Sequence, residues 1–108
     1  MIKNIELLYN WLMKETYGII IELDNEMLKK LYVGDSFEKA YSDIRAFFEE
    51  RNFKYIPSSF YYGEMTSVEA ILVCKELSKK FDWLYPSVKT IELIRISERN
   101  DLMPIIER

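Results

Sequence analysis

Three consecutive isoleucines stand at the centre of the segment Tyr17-Gly18-Ile19-Ile20-Ile21-Glu22-Leu23-Asp24. β-branched side chains have few χ1 rotamers and fit a pleated sheet better than a helical turn. Because three apolar residues in a row exclude water from both faces of an extended chain, the segment predicts a central strand. Glu22 and Asp24 lie two residues apart, and a strand directs residues at that spacing to one face. The sequence therefore predicts a pair of carboxylates at the C-terminal end of this strand, able to bind a metal ion or transfer a proton.

The composition restricts the class of protein. A chain of 108 residues that is 49% hydrophobic and 31% charged is typical of one globular domain, here residues 1–108. A net charge of −3 provides no overall attraction to nucleic acid, so sequence-specific DNA binding is not expected. The absence of histidine excludes a Ser-His triad and the usual zinc sites.

Cysteine usage and hydropathy bear on the compartment. The sequence has one cysteine, Cys74, which cannot form an intramolecular disulfide and which we expect to be a small core residue. No apolar run approaches the roughly 20 residues that span a bilayer. These features favour a cytoplasmic protein without membrane contacts. Eight tyrosines and six phenylalanines indicate either a partner-binding surface or the edge of a small core.

Helical patterns occupy the first half of the chain around the central strand. Residues 2–15 predict an amphipathic helix, which packs on its own domain or on a second copy; its stripe is Ile2, Ile5, Leu8, Tyr9 and Leu12. A short helix is predicted from Asn25 to Tyr32. A longer helix is predicted to start at Asp35 or Ser36, with Glu38 completing a capping box.

Strand patterns alternate with helices in the second half. Phe53 to Tyr62 predicts one bent strand or two short ones, because Pro57 interrupts it. Thr66 and Glu69 predict a second capping box. A turn or short helix at residues 82–87 leads to the last strand, and a final helical turn is expected at residues 102–106. The last strand is predicted from Val88 to Ile96, with one face formed by Val88, Thr90, Glu92, Ile94 and Ile96.

This order of elements predicts an α+β protein of the ferredoxin-like, split βαβ class, with helices on one face of a mostly antiparallel sheet. Residues 1–15 are predicted to form an additional N-terminal helical extension, and residues 16–108 the ferredoxin-like fold.

From Tyr17 onward the chain resembles the virulence-associated protein D (VapD) family. The resemblance covers residues 17 to about 103, and the first 15 residues lie outside it. Four segments carry it: Tyr17 to Leu23 with Leu28-Lys29-Lys30, Lys39 to Arg45, Phe53 through Ser59-Phe60-Tyr61, and Trp83 followed by Ser87-Val88-Lys89. The resemblance implies a ferredoxin-like fold, a homodimer similar to the small ribonuclease-like subunit of CRISPR systems, and a toxin-like endoribonuclease activity.

The resemblance also implies functional positions. These are an acid that ends the first strand, a leucine on the next helix, a serine in the second strand and an aspartate at the start of the last strand. They correspond to Glu22, Leu28, Ser59 and Thr90. At the first position Glu22 stands where the family usually has an aspartate. At the last position the uncharged Thr90 stands where the family has a second aspartate. Asp24 and Glu92 are candidates to supply the acid that is missing there. Glu22, Ser59 and Asp24 are thus the expected catalytic residues, with Leu28 and Thr90 structural at the site.

Two functional hypotheses remain open from the sequence, so it does not establish whether the chain is an enzyme. In the first, RNA lies in a dimer cleft, a base stacks on Tyr61 or Tyr62, and lysines contact phosphates. Those lysines are Lys29, Lys30, Lys54 and Lys89. Because histidine is absent, the expected nucleophile is water on a Mg²⁺ or Mn²⁺ ion held by Glu22 and Asp24.

The second hypothesis is a catalytically inactive VapD-like protein that binds a protein partner. That partner is a toxin–antitoxin component or a host defence nuclease that the chain inhibits. In this case Glu22 is a solvated strand end, Asp24 caps the following helix, and Ser59 is an ordinary strand hydroxyl.

Overall fold

The computed structural model describes residues 13–34, 36–57 and 60–107. These residues form one antiparallel sheet of four strands: β1 (Glu15–Leu23), β2 (Lys54–Ile56), β3 (Phe60–Met65) and β4 (Val88–Arg95). The helices are α1 (Asn25–Leu31), α2 (Glu38–Glu50), α3 (Ser67–Lys80), α4 (Leu84–Ser87) and α5 (Met103–Ile106). The strand order β2-β3-β1-β4 confirms the predicted α+β, ferredoxin-like fold. Within the described ranges, no helix has the length and apolar character that a bilayer crossing needs.

The isoleucine-rich strand β1 lies in the interior of the sheet, as predicted. It pairs with β3 through Ile19 and Tyr61 and with β4 through Glu22 and Thr90. Tyr17, Ile19 and Leu23 point to the face covered by the helices and are buried, whereas Glu22 points to the opposite face and is exposed. We call these the inner face and the outer face of the sheet.

The core fills the space between the inner face and the helices. α2 contributes Ala40, Ile44, Phe47 and Phe48 to it, and α3 contributes Ala70 and Leu77. Two short elements close the end of the sheet where β1 finishes, since α1 and α4 pack on each other. This arrangement places the acidic end of β1 beside the start of β4.

Gly18 permits close packing on the outer face. A Cβ atom at this position would lie 3.0 Å from Cδ2 of Phe60 and 3.1 Å from Cγ1 of Ile94. Both distances are shorter than ordinary carbon–carbon contacts. The glycine thus lets side chains from β3 and β4 meet above β1.

The two predicted capping boxes have different outcomes. At α3 the box is confirmed, because the Glu69 amide donates to the Thr66 hydroxyl at 3.1 Å and the Thr66 amide donates to the Glu69 carboxylate at 3.4 Å. At α2 the prediction is wrong. Glu38 is the first helical residue rather than the third, and Phe37 precedes it without a side-chain cap.

Three boundaries also differ from the prediction. Residues 1–12 of the predicted N-terminal helix lie outside the described residues, but β1 already begins at Glu15, so the helix does not extend that far. Pro57 separates two strands, and the second continues past Gly63 to Met65. Near the start of β4, an irregularity between Glu22 and Leu23 pairs Val88 with Leu23. Val88 therefore faces the inner side and not the predicted side of Thr90.

Candidate functional site at the end of the central strand

Glu22 is the carboxylate that β1 presents on the outer face. Its direct partner across the sheet is Thr90, the second of the two positions at which the resemblance implies an acid. The Glu22 side chain is 63% exposed, and its Oε1 atom lies 4.0 Å from Nζ of Lys89. A solvent-exposed pair at this distance is weak, so the carboxylate remains accessible to a ligand.

Asp24 lies beyond the end of β1 and caps α1. Its Oδ1 atom accepts hydrogen bonds from the amides of Glu26 at 3.0 Å and Met27 at 3.2 Å. Because β1 ends at Leu23, the two-residue period of a strand does not place Asp24 on the face of Glu22. The capping interpretation of Asp24 is thus confirmed, and one of its oxygens is engaged in that role.

Ser87 fixes the geometry of this corner and was not singled out from the sequence as a site residue. It is fully buried, and its hydroxyl donates to the Trp83 carbonyl at 2.8 Å. Its own carbonyl accepts from the Asp24 amide at 2.7 Å. Ser87 therefore joins α4 to the turn after β1. The sequence feature that could have drawn attention to Ser87 is its position directly before Val88-Lys89, in one of the segments that carry the resemblance.

The other positions implied by the resemblance have distinct surroundings. Leu28 is fully buried in α1, which agrees with a structural contribution. Thr90 is exposed on the outer face, as is Glu92, which pairs with Ile20. Ser59 lies outside the described residues.

The two tyrosines proposed for base stacking face opposite sides of the sheet. Tyr61 points inward, is 8% exposed, and stacks on Phe48 and Tyr55 with ring centroids 4.4 and 4.8 Å away. Burial, with a smaller contribution from Tyr55, raises the pKa of Tyr61 to about 12. Tyr61 is therefore a core residue, and of the two rings Tyr62 is the one that a ligand on the outer face would meet.

Tyr62 is accompanied on the outer face by two basic residues. Lys54 pairs with it directly across β2 and β3. The guanidinium of Arg99 lies 4.9 Å from the Tyr62 ring centroid and donates to its hydroxyl at 3.4 Å. Arg99 was missed in the sequence, because a contact between residues 37 positions apart leaves no periodic signal.

The predicted lysines do not form one cluster with Tyr62. Tyr62 pairs with Gly18, which is four residues before Glu22, or about 13 Å along the strand. Lys89 lies at the Glu22 end, and Lys54 lies at the Tyr62 end. Lys29 and Lys30 are exposed on α1, with Lys29 4.9 Å from the Phe37 ring centroid. The outer face thus has an acidic end and an aromatic, basic end.

Glu22 and Asp24 are the metal ligands that the sequence predicts at this end of β1. Among the described residues, no three side chains of His, Cys, Asp or Glu are grouped so that they could hold a metal ion. Glu22 alone offers one accessible carboxylate at the end of β1. A divalent cation takes several oxygen ligands, some of which can be water or the phosphates of a substrate, so Glu22 by itself supplies only part of such a set.

The sheet order and the acidic end of the central strand define a ferredoxin-like α+β protein with a candidate site on the outer face. No protein-family model matches the chain. It is 36% identical over 92 residues to "Endoribonuclease VapD 2" of Riemerella anatipestifer, covering 83% of this chain and 98% of that relative. It is 34% identical over 93 residues to "Endoribonuclease VapD homolog" of Helicobacter pylori, covering 84% and 96%. The chain therefore belongs to the VapD endoribonuclease family.

Proposed function

We propose that this protein is an endoribonuclease that cleaves RNA at a site formed by two copies of the chain. The observation that carries the proposal is its match to nearly the full length of relatives named as VapD endoribonucleases. The accessible Glu22 carboxylate at the end of β1 supports it, because an acid at that position is what the resemblance implies.

The outer face of the sheet supports pairing of two copies. Ile20, Phe60 and Ile94 are half-buried on it, and Gly18 lets Phe60 and Ile94 approach β1 closely. In a dimer with two-fold symmetry the same surface of each copy is used, so residue pairs face each other across the axis. A dimer formed through this face, with its two-fold axis near the end of β1, would bring two Glu22 carboxylates toward each other.

In this arrangement each residue has a defined contribution. The two Glu22 side chains would hold a Mg²⁺ or Mn²⁺ ion, which supplies positive charge to a phosphate that becomes more negative during cleavage. Asp24 keeps the turn after β1 in place as the cap of α1, with its Oδ1 atom accepting from two amides of that helix. Tyr62 stacks on a base, while Lys54 and Lys89 contact phosphates at the two ends of the face.

A cleavage assay with charge-removing variants tests this proposal. Labelled mixed-sequence RNA is incubated with the protein in Mg²⁺, in Mn²⁺ and in chelator. Glu22→Gln is expected to reduce cleavage at least 100-fold, because it removes the charge without changing the size of the side chain. Asp24→Asn removes a charge but retains a residue that caps helices well, so it separates a catalytic role from a structural one.

Glu26→Gln is the matched control. Glu26 is an exposed acid in the first turn of α1, two residues beyond Asp24, so its replacement makes the same change in net charge. It is expected to leave cleavage unchanged. Cleavage that persists in chelator would contradict the metal, and cleavage that persists in Glu22→Gln would contradict the assignment of that residue.

The pairing of Glu22 with Thr90 favours a second candidate function. An uncharged threonine stands directly across from the acid, where the resemblance implies an aspartate. A member that has lost catalysis would act by binding a protein, as a toxin–antitoxin component or as an inhibitor of a defence nuclease. A folded dimer without RNA turnover, together with a Thr90→Asp variant that cleaves RNA, would support this alternative.

A further inference from the structure

An apolar groove lies on the inner side of the sheet, opposite the face that carries Glu22. It has a volume of about 540 Å³ and runs between α3 and β4. Ile71 and Cys74 line it on the α3 side, and Ile91 and Leu93 line it on the β4 side. We call it the α3–β4 groove. It is open because α3 packs more on β1 than on β4.

The inner side of β4 is covered less than that of its neighbour β1. Leu93 pairs with Ile19 across the two strands, so both side chains point to the inner face. Ile19 is fully buried, whereas Leu93 is 38% exposed and Ile91 is 43% exposed. The helical layer described so far therefore ends before it reaches β4.

The other wall of the groove also has exposed apolar side chains, in the first two turns of α3. Val68, Ile71 and Leu72 are 36%, 50% and 51% exposed, and their spacing places them on one side of the helix. Lys75 follows on the same side and is charged. Because a contiguous apolar surface usually marks a contact, the start of α3 and the inner side of β4 are expected to share one occupant.

The chain enters the described fold next to this surface. Met13 forms a bend, and β1 begins at Glu15. Glu15 pairs with Met65, which lies just before the start of α3. The Glu15 carboxylate also lies 3.4 Å from Nη1 of Arg95, at the end of β4. Residues that precede Met13 therefore join the fold between the start of α3 and the end of β4, which are the two walls of the groove.

The preceding residues have the pattern and the length to fill the groove. Residues 2–12, which we call the N-terminal segment, lie outside the described residues and carry the apolar stripe of the predicted amphipathic helix. As a helix these residues would be about 16 Å long. The distance along β4 from Arg95 to Ile91 is about 13 Å. One helix is thus long enough to cover both Leu93 and Ile91.

We propose that the N-terminal segment turns back at Met13 and docks as a helix in the α3–β4 groove of its own chain. A short tether at the end of the groove gives the segment a local concentration of about millimolar order, which favours its own groove over that of a second copy. The docked helix would complete the helical layer over β4. Because the VapD resemblance starts at Tyr17, this helix would be an addition of this chain to the family fold.

Cysteine cross-linking tests the docking, because Cys74 lies in the groove and is the one cysteine in the sequence. Ile5 lies in the apolar stripe, and Lys3 lies on the opposite side of the predicted helix. The full chain with Ile5→Cys is oxidised mildly, and we expect most of it to form a disulfide within one chain. This product runs as a monomer on a non-reducing gel and has lost its free thiols. Lys3→Cys is the control and is expected to form the disulfide at least tenfold more slowly.

Two outcomes of the cross-linking would overturn the proposal. Equal rates for Ile5→Cys and Lys3→Cys would mean that the segment has no fixed orientation on the groove. A disulfide-linked dimer in place of the product within one chain would mean that the segment docks on a second copy.

The reactivity of Cys74 tests the same contact without an added cysteine. Ile5→Asp with Leu8→Asp is expected to raise the rate at which a maleimide labels Cys74 at least tenfold, because the groove is then uncovered. Lys3→Glu makes the same change in net charge on the other side of the helix and is expected to match the wild type. Far-UV circular dichroism and a retained melting transition verify that the remaining fold is intact. Equal labelling of the double variant and the wild type would contradict the docking, and neither measurement depends on RNA cleavage.

Discussion

Tyr61 and Tyr62 are neighbours in β3 with opposite surroundings. The Tyr61 ring is enclosed by Phe48 and Tyr55 on the inner face, while Tyr62 meets Arg99 on the outer face. Sequence reasoning could identify both as candidates, because tyrosine suits a core edge and a binding surface equally well. It could not separate them, since their sides depend on the register of β3 against β1, in which Ile19 lies opposite Tyr61.

The enclosed hydroxyl of Tyr61 predicts a loss of stability at alkaline pH. Its pKa is raised to about 12 in the folded protein, against about 10 in an unfolded chain. The folded state therefore retains the proton more tightly, and stability declines as pH rises from about 10 to about 12. The loss is about 2 to 3 kcal/mol at completion. Tyr61→Phe is expected to match the wild type in urea unfolding at pH 8 and to be more stable by about 2 kcal/mol at pH 11.5.

Tyr85→Phe is the control for this measurement, because Tyr85 is 83% exposed. It is expected to follow the wild-type stability at both pH values. An equal decline for Tyr61→Phe and the wild type would show that other groups cause the alkaline transition.

Among the elements, α3 begins where the sequence predicts and α2 does not. The Thr66–Glu69 box has its residues at the cap and third helical positions, and both hydrogen bonds form. At α2, turn-type bonds from the Lys39 and Ala40 amides to the Ser36 and Phe37 carbonyls take over the first turn. Capping patterns predict which residues can satisfy free amides, but backbone carbonyls compete for the same donors.

The box at α3 predicts a measurable contribution to stability. Thr66→Ala removes the hydroxyl that accepts from the Glu69 amide, and it is expected to reduce the free energy of unfolding by about 1 kcal/mol. For a domain of this size the melting temperature should fall by about 4 °C. Ser67→Ala removes a hydroxyl from the next residue without disturbing the box, so it is the control. A change of equal size in both variants would rule out a specific contribution from the box.

At the scale of the whole molecule, the fold was more predictable than the site. The isoleucine run, Pro57 and the alternating last strand gave the elements and their order, because each is a local property of the chain. The link between Asp24 and Ser87 and the contact of Arg99 with Tyr62 depend on how distant segments meet. Such contacts have no periodic signature and could not be predicted, whereas Glu22, Thr90, Tyr62 and the capping role of Asp24 were named from the sequence or from the resemblance.

If the active site is shared between two copies, mixing intact and inactive chains should reduce cleavage more than if each copy has its own site. If the two Glu22 carboxylates of a dimer act as one site, a dimer with a single intact Glu22 should be nearly inactive. Equal amounts of wild-type and Glu22→Gln chains that exchange freely give about one quarter wild-type dimers, one half mixed dimers and one quarter variant dimers. Cleavage per total protein should then fall to about one quarter of the wild-type rate, whereas two independent sites would retain about one half.

Mixing with Glu26→Gln chains under the same conditions controls for exchange and dilution, and the full rate is expected. Exchange is verified with an affinity tag on one of the two chains, which must recover the untagged chain. A rate of one half in mixtures that have exchanged completely would mean that each copy cleaves RNA with its own carboxylate. The outer face would then serve to bind RNA or the second copy. Because one Glu22 carboxylate supplies too few oxygen ligands for a divalent ion, the other ligands would have to come from the same chain or from the RNA.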